Sequence, residues 1–302
     1  MTPPALLRAM RPHQWSKNVF VLAALVFAAG DRREGEAMTP ERVFAALAAC
    51  LAFCLASSAV YLLNDVLDVE KDRAHPEKRR RPIASGELSI PTALAAAAFF
   101  FAVALALAAL WGGGPRGALV LAGYGLLNLA YSVHLKRIVL VDAFCIALGF
   151  LLRLAAGGVA VGAEVSHWAF LCTFFLALFL ALNKRRAEIA LVGDGGVQTR
   201  PSLQHYTVPF LDQMVSMLAA CTIVAYTMYT VDPDTARKFG GGRALFWSVP
   251  FVAFGIGRYM VLVQGGRGGE NPARILLGGD GWFLLNTVLW AAVTGYALFG
   301  AG

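Results

Sequence analysis

Charge is scarce in this chain. Only 15% of its 302 residues are Asp, Glu, Lys or Arg, where a soluble domain carries about 25%. Hydrophobic residues make up 58%. These proportions exclude an ordinary soluble enzyme and describe an all-helical, polytopic membrane protein. Cysteine is sparse too: Cys50, Cys54, Cys145, Cys172 and Cys221 all fall in apolar stretches. Cys50 and Cys54 share a helical face, but no further ligand type stands near them, so a cysteine metal site is excluded. All five read as reduced, small, buried side chains. No glycine loop of the Walker type is present; the glycines at 112–114, 240–242 and 265–269 read as turns. The net charge of +7 comes with no interleaved aromatic–basic pattern, so no nucleic-acid partner is expected. Membrane proteins gather Lys and Arg on their cytoplasmic side instead.

What the chain does have is long apolar runs. Nine segments, at about 18–30, 43–63, 91–111, 117–133, 138–163, 167–182, 209–231, 245–264 and 281–300, are expected to cross the membrane. Most approach the roughly 20 residues that a spanning helix needs. Each must be helical, because lipid offers no partners for backbone polar groups. The first is short and ends in small residues, which a cleaved signal peptide would also do; the preceding Arg11-Pro12-His13-Gln14-Trp15 favours the approach to a retained helix. With the N-terminus inside, inner segments hold 17 Lys and Arg and outer segments 7. That bias predicts N-in, C-out.

One polar stretch, Asn64 to Gly86, organises the rest. Asp65, Asp68 and Asp72 stand at i, i+3 and i+7, so a straight helix would stack them on one face, with Asn64 at its border. Lys78, Arg79, Arg80 and Arg81 follow at once. Carboxylates suit Mg²⁺, which usually arrives with substrate phosphates. Cations beside them suit the phosphate oxygens that the metal leaves. Taken alone, the acids also fit a solvated helix end; the spacing and the basic run favour a metal–diphosphate site.

Three further features stand out. Asp142 and Arg153 lie in one apolar segment, where charge is costly and usually functional. Eleven residues, about 16 Å, separate them along a helix, so they cannot pair. Arg153 is expected to face the bundle interior or to be satisfied by backbone carbonyls, and Arg258 to snorkel towards the cytoplasm. After the sixth segment comes a polar loop, NKRRAEIALVGDGGVQTRPSLQHY. Its Lys184, Arg185 and Arg186 are either an ordinary stop at the membrane edge or a second phosphate-binding group. Lys184 and Glu188 have i, i+4 spacing; His205 and Tyr206 suggest no role.

The run Asn64-Asp65-Val-Leu-Asp68-Val-Glu-Lys-Asp72 resembles the first aspartate-rich motif, NDxxDxxxD, of the UbiA superfamily of intramembrane prenyltransferases. The resemblance covers nearly the whole chain. It implies a single integral-membrane domain over residues 1–302, an all-helical bundle around a cytoplasm-facing cavity, and dependence on Mg²⁺. Four stretches point to one branch: RPHQWSKN (11–18), HPEKRRRPIASG (75–86), LGFLLRLAAGG (148–158) and NKRRAE (183–188). They are similar to decaprenyl-phosphate phosphoribosyltransferases. Those enzymes join 5-phosphoribosyl diphosphate (PRPP) to a polyprenyl phosphate and release diphosphate, feeding arabinose donors of the bacterial cell envelope. The chain departs from the wider superfamily after the sixth segment. A second acidic motif is usual there; here stand Lys184-Arg185-Arg186 with Glu188, and Asp194 further on. Extra cations fit a donor with an additional 5-phosphate.

The resemblance therefore implies Asn64, Asp65, Asp68 and Asp72 as the metal and catalytic set. It implies Lys17, Lys78, Arg79, Arg81, Lys136, Arg137, Arg153, Lys184 and Arg185 around the phosphates, with Arg11 as a further candidate. The same resemblance allows a homo-oligomer, a trimer among its forms. The competing enzyme class moves an isoprenoid from its diphosphate to an aromatic or other acceptor, using the same first motif. A transporter is a third class; its site would be expected near the midplane between broken helices, whereas the densest polar constellation here is at the rim.

Overall fold

The computed structural model describes residues 4–30, 39–193, 203, 205–239, 244–265 and 280–300. Among them there is no strand. The helices in order are α1 (Ala5–Met10), α2 (Val19–Ala29), α3 (Pro40–Leu67), α4 (Val69–Ala74), α5 (Ile90–Leu110), α6 (Gly114–Val133), α7 (Val141–Val161), α8 (His167–Gly193), α9 (Val208–Val231), α10 (Pro233–Lys238), α11 (Val249–Gln264) and α12 (Gly281–Gly295), with 3₁₀ turns at Pro12–Asn18, Lys78–Arg80, Leu135–Arg137 and Ala244–Ser248. Arg200, Arg267, Arg274 and Asp194 lie outside the described residues.

Seven helical stretches are long and apolar enough to cross a bilayer: Pro40–Leu67, Ile90–Leu110, Val141–Val161, His167–Ala190, Val208–Val231, Ala244–Gln264 and Gly281–Gly300. The expectation of nine is thus met by seven among the described residues. The segment expected at 18–30 gives only the 11 residues of α2, about 16 Å of helix against a hydrocarbon core of about 30 Å. The segment expected at 117–133 forms α6, whose Arg116, Asn128 and glycines dilute its apolarity.

The chain divides into two compact units. The first comprises Met1–Ala28, Met38–Leu135 and Leu152–Glu164; the second comprises Ala29–Ala37, Lys136–Leu151 and Val165–Gly302. In the first unit, α3 starts on Thr39, whose hydroxyl accepts the Arg42 N–H at 3.3 Å, with Pro40 in the first turn. Its buried face is small: Ala46, Ala49, Ala52, Ala56 and Ala59. Helix α5 answers with Ala93, Ala97, Ala104 and Ala108, and the two pack along each other. Small residues let helix backbones approach in lipid, where packing rather than water exclusion drives association. Gly157 of α7 serves the same end, since a Cβ there would meet the Val21 carbonyl oxygen at 2.0 Å.

In the second unit, α8 and α9 pack side by side. Phe179, Leu182, Leu211, Val215 and Leu218 fill its core with Ile256, Tyr259 and Phe283. Large apolar side chains such as Leu119, Val224, Val261 and Trp282 remain exposed, as a lipid-facing surface requires. Helix α8 runs unbroken through Lys184–Glu188. The basic cluster after the sixth span therefore lies on α8, as the i, i+4 spacing of Lys184 and Glu188 on a helix anticipates.

Candidate active site

Two clusters of charged side chains dominate the molecule, one in each unit. In the first, α3 ends at Asp68, whose φ of −100° and ψ of 10° interrupt the helix before α4. The straight helix expected to align three aspartates is thus broken at the middle one. Asp65 and Asp72, on either side of the break, meet at a common partner: Arg81 Nη1 donates to Asp65 Oδ1 at 3.1 Å and to Asp72 Oδ2 at 2.6 Å. Asp65 Oδ1 also accepts from Arg11 Nη2 at 2.5 Å. Asp68 is half-buried at the break.

Local structure holds these partners. Arg11 sits in the left-handed region (φ 54°) between α1 and the 3₁₀ turn, a costly conformation for a residue with a Cβ. Its guanidinium stacks 4.8 Å over the Tyr61 ring. The segment after α4 is folded too. His75 Nδ1 accepts the backbone N–H groups of Glu77 and Lys78, Leu88 N–H bonds the Pro82 carbonyl at 2.9 Å, and Ile83 is buried. Arg81 leaves this anchored turn towards the carboxylates. Arg79 on the same turn is exposed and Lys78 half-buried.

The Pro12–Asn18 turn brings a second group of residues into the first unit. Asn18 is fully buried. Its Nδ2 donates to Cys54 Sγ and Ser57 Oγ, both at 3.3 Å, and its Oδ1 accepts from Arg153 Nε at 2.8 Å. Arg153 Nη2 donates to the Tyr124 hydroxyl at 3.0 Å, and the guanidinium lies 4.8 Å from that ring. An amide and a phenol are thus among the partners of the buried arginine, which faces the protein interior. Lys17 is exposed on the Pro12–Asn18 turn. Partial desolvation, then the charges of Arg153 and Arg11, lower its pKa from 10.5 to about 8. Cation next to cation is a place that attracts an anion.

In the second unit the ions are sealed. Arg185 Nε donates to Asp142 Oδ2 at 2.8 Å and Nη1 to Glu188 Oε2 at 3.1 Å. The other Asp142 oxygen accepts from the Tyr206 hydroxyl at 2.9 Å. Burial raises the Tyr206 phenol above its usual pKa, so it stays a donor at neutral pH. Arg185, expected at a phosphate, is completely buried. Lys184 on the same helix and Lys136 on the Leu135–Arg137 turn are half-buried, while Arg137 is exposed. Arg186 pairs with Asp212. Arg258 makes a two-pronged pair with Asp280, the residue just before the Gly281–Gly300 stretch, 3.0 and 2.6 Å. Two of the five cysteines, Cys54 and Cys145, are buried; Cys50, Cys172 and Cys221 are half-buried, and all are thiols.

Sequence reasoning assigned no role to Tyr206, Asn18, Tyr124 or Tyr61. Asn18 and Arg153 are 135 residues apart, and nothing in either neighbourhood announces the contact. Asp142 carried a signal, charge inside an apolar segment, but not its partner.

Residues 18–185 match the UbiA prenyltransferase family. The chain belongs to that family. It is 38% identical to the decaprenyl-phosphate phosphoribosyltransferase of Corynebacterium glutamicum over 87% of this chain and 78% of that protein. It is 36% identical to the enzyme of the same name from Mycolicibacterium smegmatis, over 97% and 92%. Among solved structures, a UbiA homolog from Archaeoglobus fulgidus bound to GPP and Mg²⁺ superposes with a TM-score of 0.69 at 20% identity, covering 98% of this chain and all of that one. The UbiA fold is therefore shared.

A metal ion in the first unit would have to find oxygen ligands. Among the described residues no three acidic, His or Cys side chains converge closely enough to hold one. The donor set offers Asp65 and Asp72, joined by Arg81, and the Asn64 Oδ1 atom, which is buried with no hydrogen-bond partner among those residues. Two carboxylates and an orphaned buried amide oxygen are the ligand types Mg²⁺ accepts, since it takes one or two carboxylates and completes its shell with water and substrate phosphate.

Proposed function

We propose that this UbiA-family protein is an Mg²⁺-dependent glycosyltransferase. It moves 5-phosphoribosyl from PRPP to a polyprenyl phosphate such as decaprenyl phosphate, releasing diphosphate. The observation that carries the reading is identity of 36–38% along most of the chain to proteins named for this transfer. The carboxylate–arginine cluster supplies compatible chemistry. In a bacterial plasma membrane, the proposed orientation has the N-terminus and the active site at the cytoplasm, a reading the basic residues of the expected inner segments support. The soluble donor then enters from that side and the lipid acceptor from the bilayer.

Asp65 and Asp72, with Asn64 Oδ1, would hold the metal, and Asp68 at the helix break is the remaining ligand candidate. Bound there, Mg²⁺ supplies charge stabilisation to the leaving diphosphate. The bond from ribose C1 to the diphosphate oxygen breaks, and its electron pair leaves with diphosphate. A bond from the lipid phosphate oxygen to C1 forms. That oxygen is anionic near neutral pH, so no general base is required, and the protein's task is positioning and charge stabilisation. Arg81 and Arg11, already at the carboxylates, are suited to receive phosphate oxygens there. Lys17 and Arg153 add charge in the same unit, and Lys78 and Arg79 lie on the turn that presents Arg81. Lys136, Arg137 and Lys184 are cations of the second unit, each a candidate to bind phosphate there. Arg185 is suited to hold its helix rather than to touch substrate.

The test uses purified protein in detergent, Mg²⁺, a polyprenyl phosphate and PRPP labelled in the ribose. Label should move into the organic phase, and neither the metal-free sample nor Asp65→Asn should move it. Absence of ribosyl transfer, with turnover of a prenyl diphosphate and an aromatic acceptor instead, would place the protein with isoprenoid-transferring members of the family.

A further inference from the structure

Leu140 has a φ of +66°. A left-handed leucine is uncommon, and its persistence requires support from neighbours. The support is visible. Its backbone N–H donates to the Tyr206 hydroxyl at 2.7 Å, and the same hydroxyl donates to Asp142 Oδ1 at 2.9 Å. Asp142 Oδ2 is held by Arg185 of α8 at 2.8 Å. One phenol therefore ties a strained backbone turn, through one carboxylate, to the buried arginine next to Lys184. The ring itself is fixed independently. Tyr206 precedes Thr207, whose hydroxyl caps α9 by accepting the Phe210 N–H, and it stacks on Phe210 with centroids 6.2 Å apart. It also packs in the core that holds Leu211, the arrangement of a hydrophobic staple.

What the turn carries is functional chemistry. Lys136 and Arg137 lie immediately before it, on the Leu135–Arg137 3₁₀ turn, and helix α7 starts immediately after it at Val141. We propose that Tyr206 is a positioning residue: its hydroxyl latches the Leu140 turn, at both the Leu140 N–H and Asp142, to the start of α9, so that Lys136 and Arg137, which immediately precede that turn, are held in place to bind phosphate. The inference rests on the reading above in that the phosphates are those of the two substrates. A latch of this kind acts equally on bound substrate and transition state. Its loss raises KM and leaves kcat nearly unchanged.

The experiment compares Tyr206→Phe, Leu140→Gly and the double variant. Phenylalanine keeps the ring packing and removes only the hydroxyl. Glycine adopts a positive φ without the Cβ penalty, so the turn no longer depends on the latch. Tyr206→Phe should raise KM for PRPP or for the lipid phosphate about tenfold, with kcat within about twofold. Leu140→Gly alone should leave both unchanged, and in the Tyr206→Phe background it should recover most of the lost affinity. Hydrogen exchange across residues 138–142 should quicken in Tyr206→Phe without a matching change elsewhere.

Unchanged KM, or a rise that Leu140→Gly does not repair, would overturn the proposal; so would unchanged exchange in that turn. A merely structural tyrosine would reduce the folded fraction without moving KM. If Tyr206→Phe does not accumulate, accumulation of the double variant supports the latch and its failure refutes it. Absence of ribosyl transfer by the parent protein would sink the functional reading, whereas the exchange measurement reads the latch regardless of substrate.

Discussion

Both units contain carboxylates gripped by arginine, yet water reaches them differently. In the first, Arg11 and Arg81 keep 21% and 27% of their side-chain surface exposed while holding Asp65 and Asp72. In the second, Arg185 and Asp142 have none exposed. A part-exposed guanidinium can trade a carboxylate for a phosphate oxygen at modest desolvation cost. A sealed one cannot be reached without opening the packing around it. The same residue types therefore divide into a cluster suited to ligand exchange and a cluster suited to fixing a helix against its neighbours. Burial, rather than charge, separates the two.

The sharpest way to break that comparison is to neutralise one carboxylate in each cluster. Asp65→Asn should lower kcat by about 100-fold or more, the scale of losing one charge-stabilising element of a transition state, while the protein still inserts and melts near the parent temperature. Equal activity in the two proteins would remove Asp65 from the metal site. Arg185→Met should do the reverse. Leaving Asp142 buried without its arginine should cost about 3–5 kcal/mol of stability, and replacing both partners with apolar residues should cost less than the single change. A thermal melt in detergent, read beside the specific activity of the folded fraction, separates the outcomes. If Arg185→Met melts normally but loses turnover, the arginine reaches substrate after all.

The sequence makes one cluster far more legible than the other, for physical reasons. Asn64, Asp65, Asp72 and Arg81 lie within 18 residues of chain, so local spacing brings them to notice before any fold is known. What spacing missed was the break at Asp68, because alternation of residue types carries no record of one residue's φ and ψ. The apolar segments for seven crossings were readable from hydropathy alone. The first run was already short on sequence, and α2 keeps only 11 residues of it because the run begins inside the Pro12–Asn18 turn. The burial of Arg185 was not readable, because a basic residue after an apolar run looks the same whether it meets water or Asp142. Tyr206 was invisible for a related reason. Its partners, Leu140 and Asp142, are more than 60 residues away, and a phenol in a polar segment gives no sign of the turn it supports.

A smaller effect sharpens the picture inside the first unit. Lys17 has its pKa lowered to about 8 by partial desolvation and by the charges of Arg153 and Arg11. Both neighbours stay charged throughout the accessible range, so they do not titrate with it. The sign follows from the depression: the ammonium is present below about pH 8 and is lost above it. If Lys17 binds a phosphate, kcat/KM for PRPP should be level near neutral pH and fall above about 8, by up to about tenfold for each further unit. Lys17→Arg should carry a charge that does not titrate in this range, flattening that limb while leaving activity near pH 7 within a fewfold of the parent. Lys17→Gln should be low at every pH and show no such limb. An alkaline limb that survives in Lys17→Arg would belong to another group, and Lys17 would then not bind the phosphate.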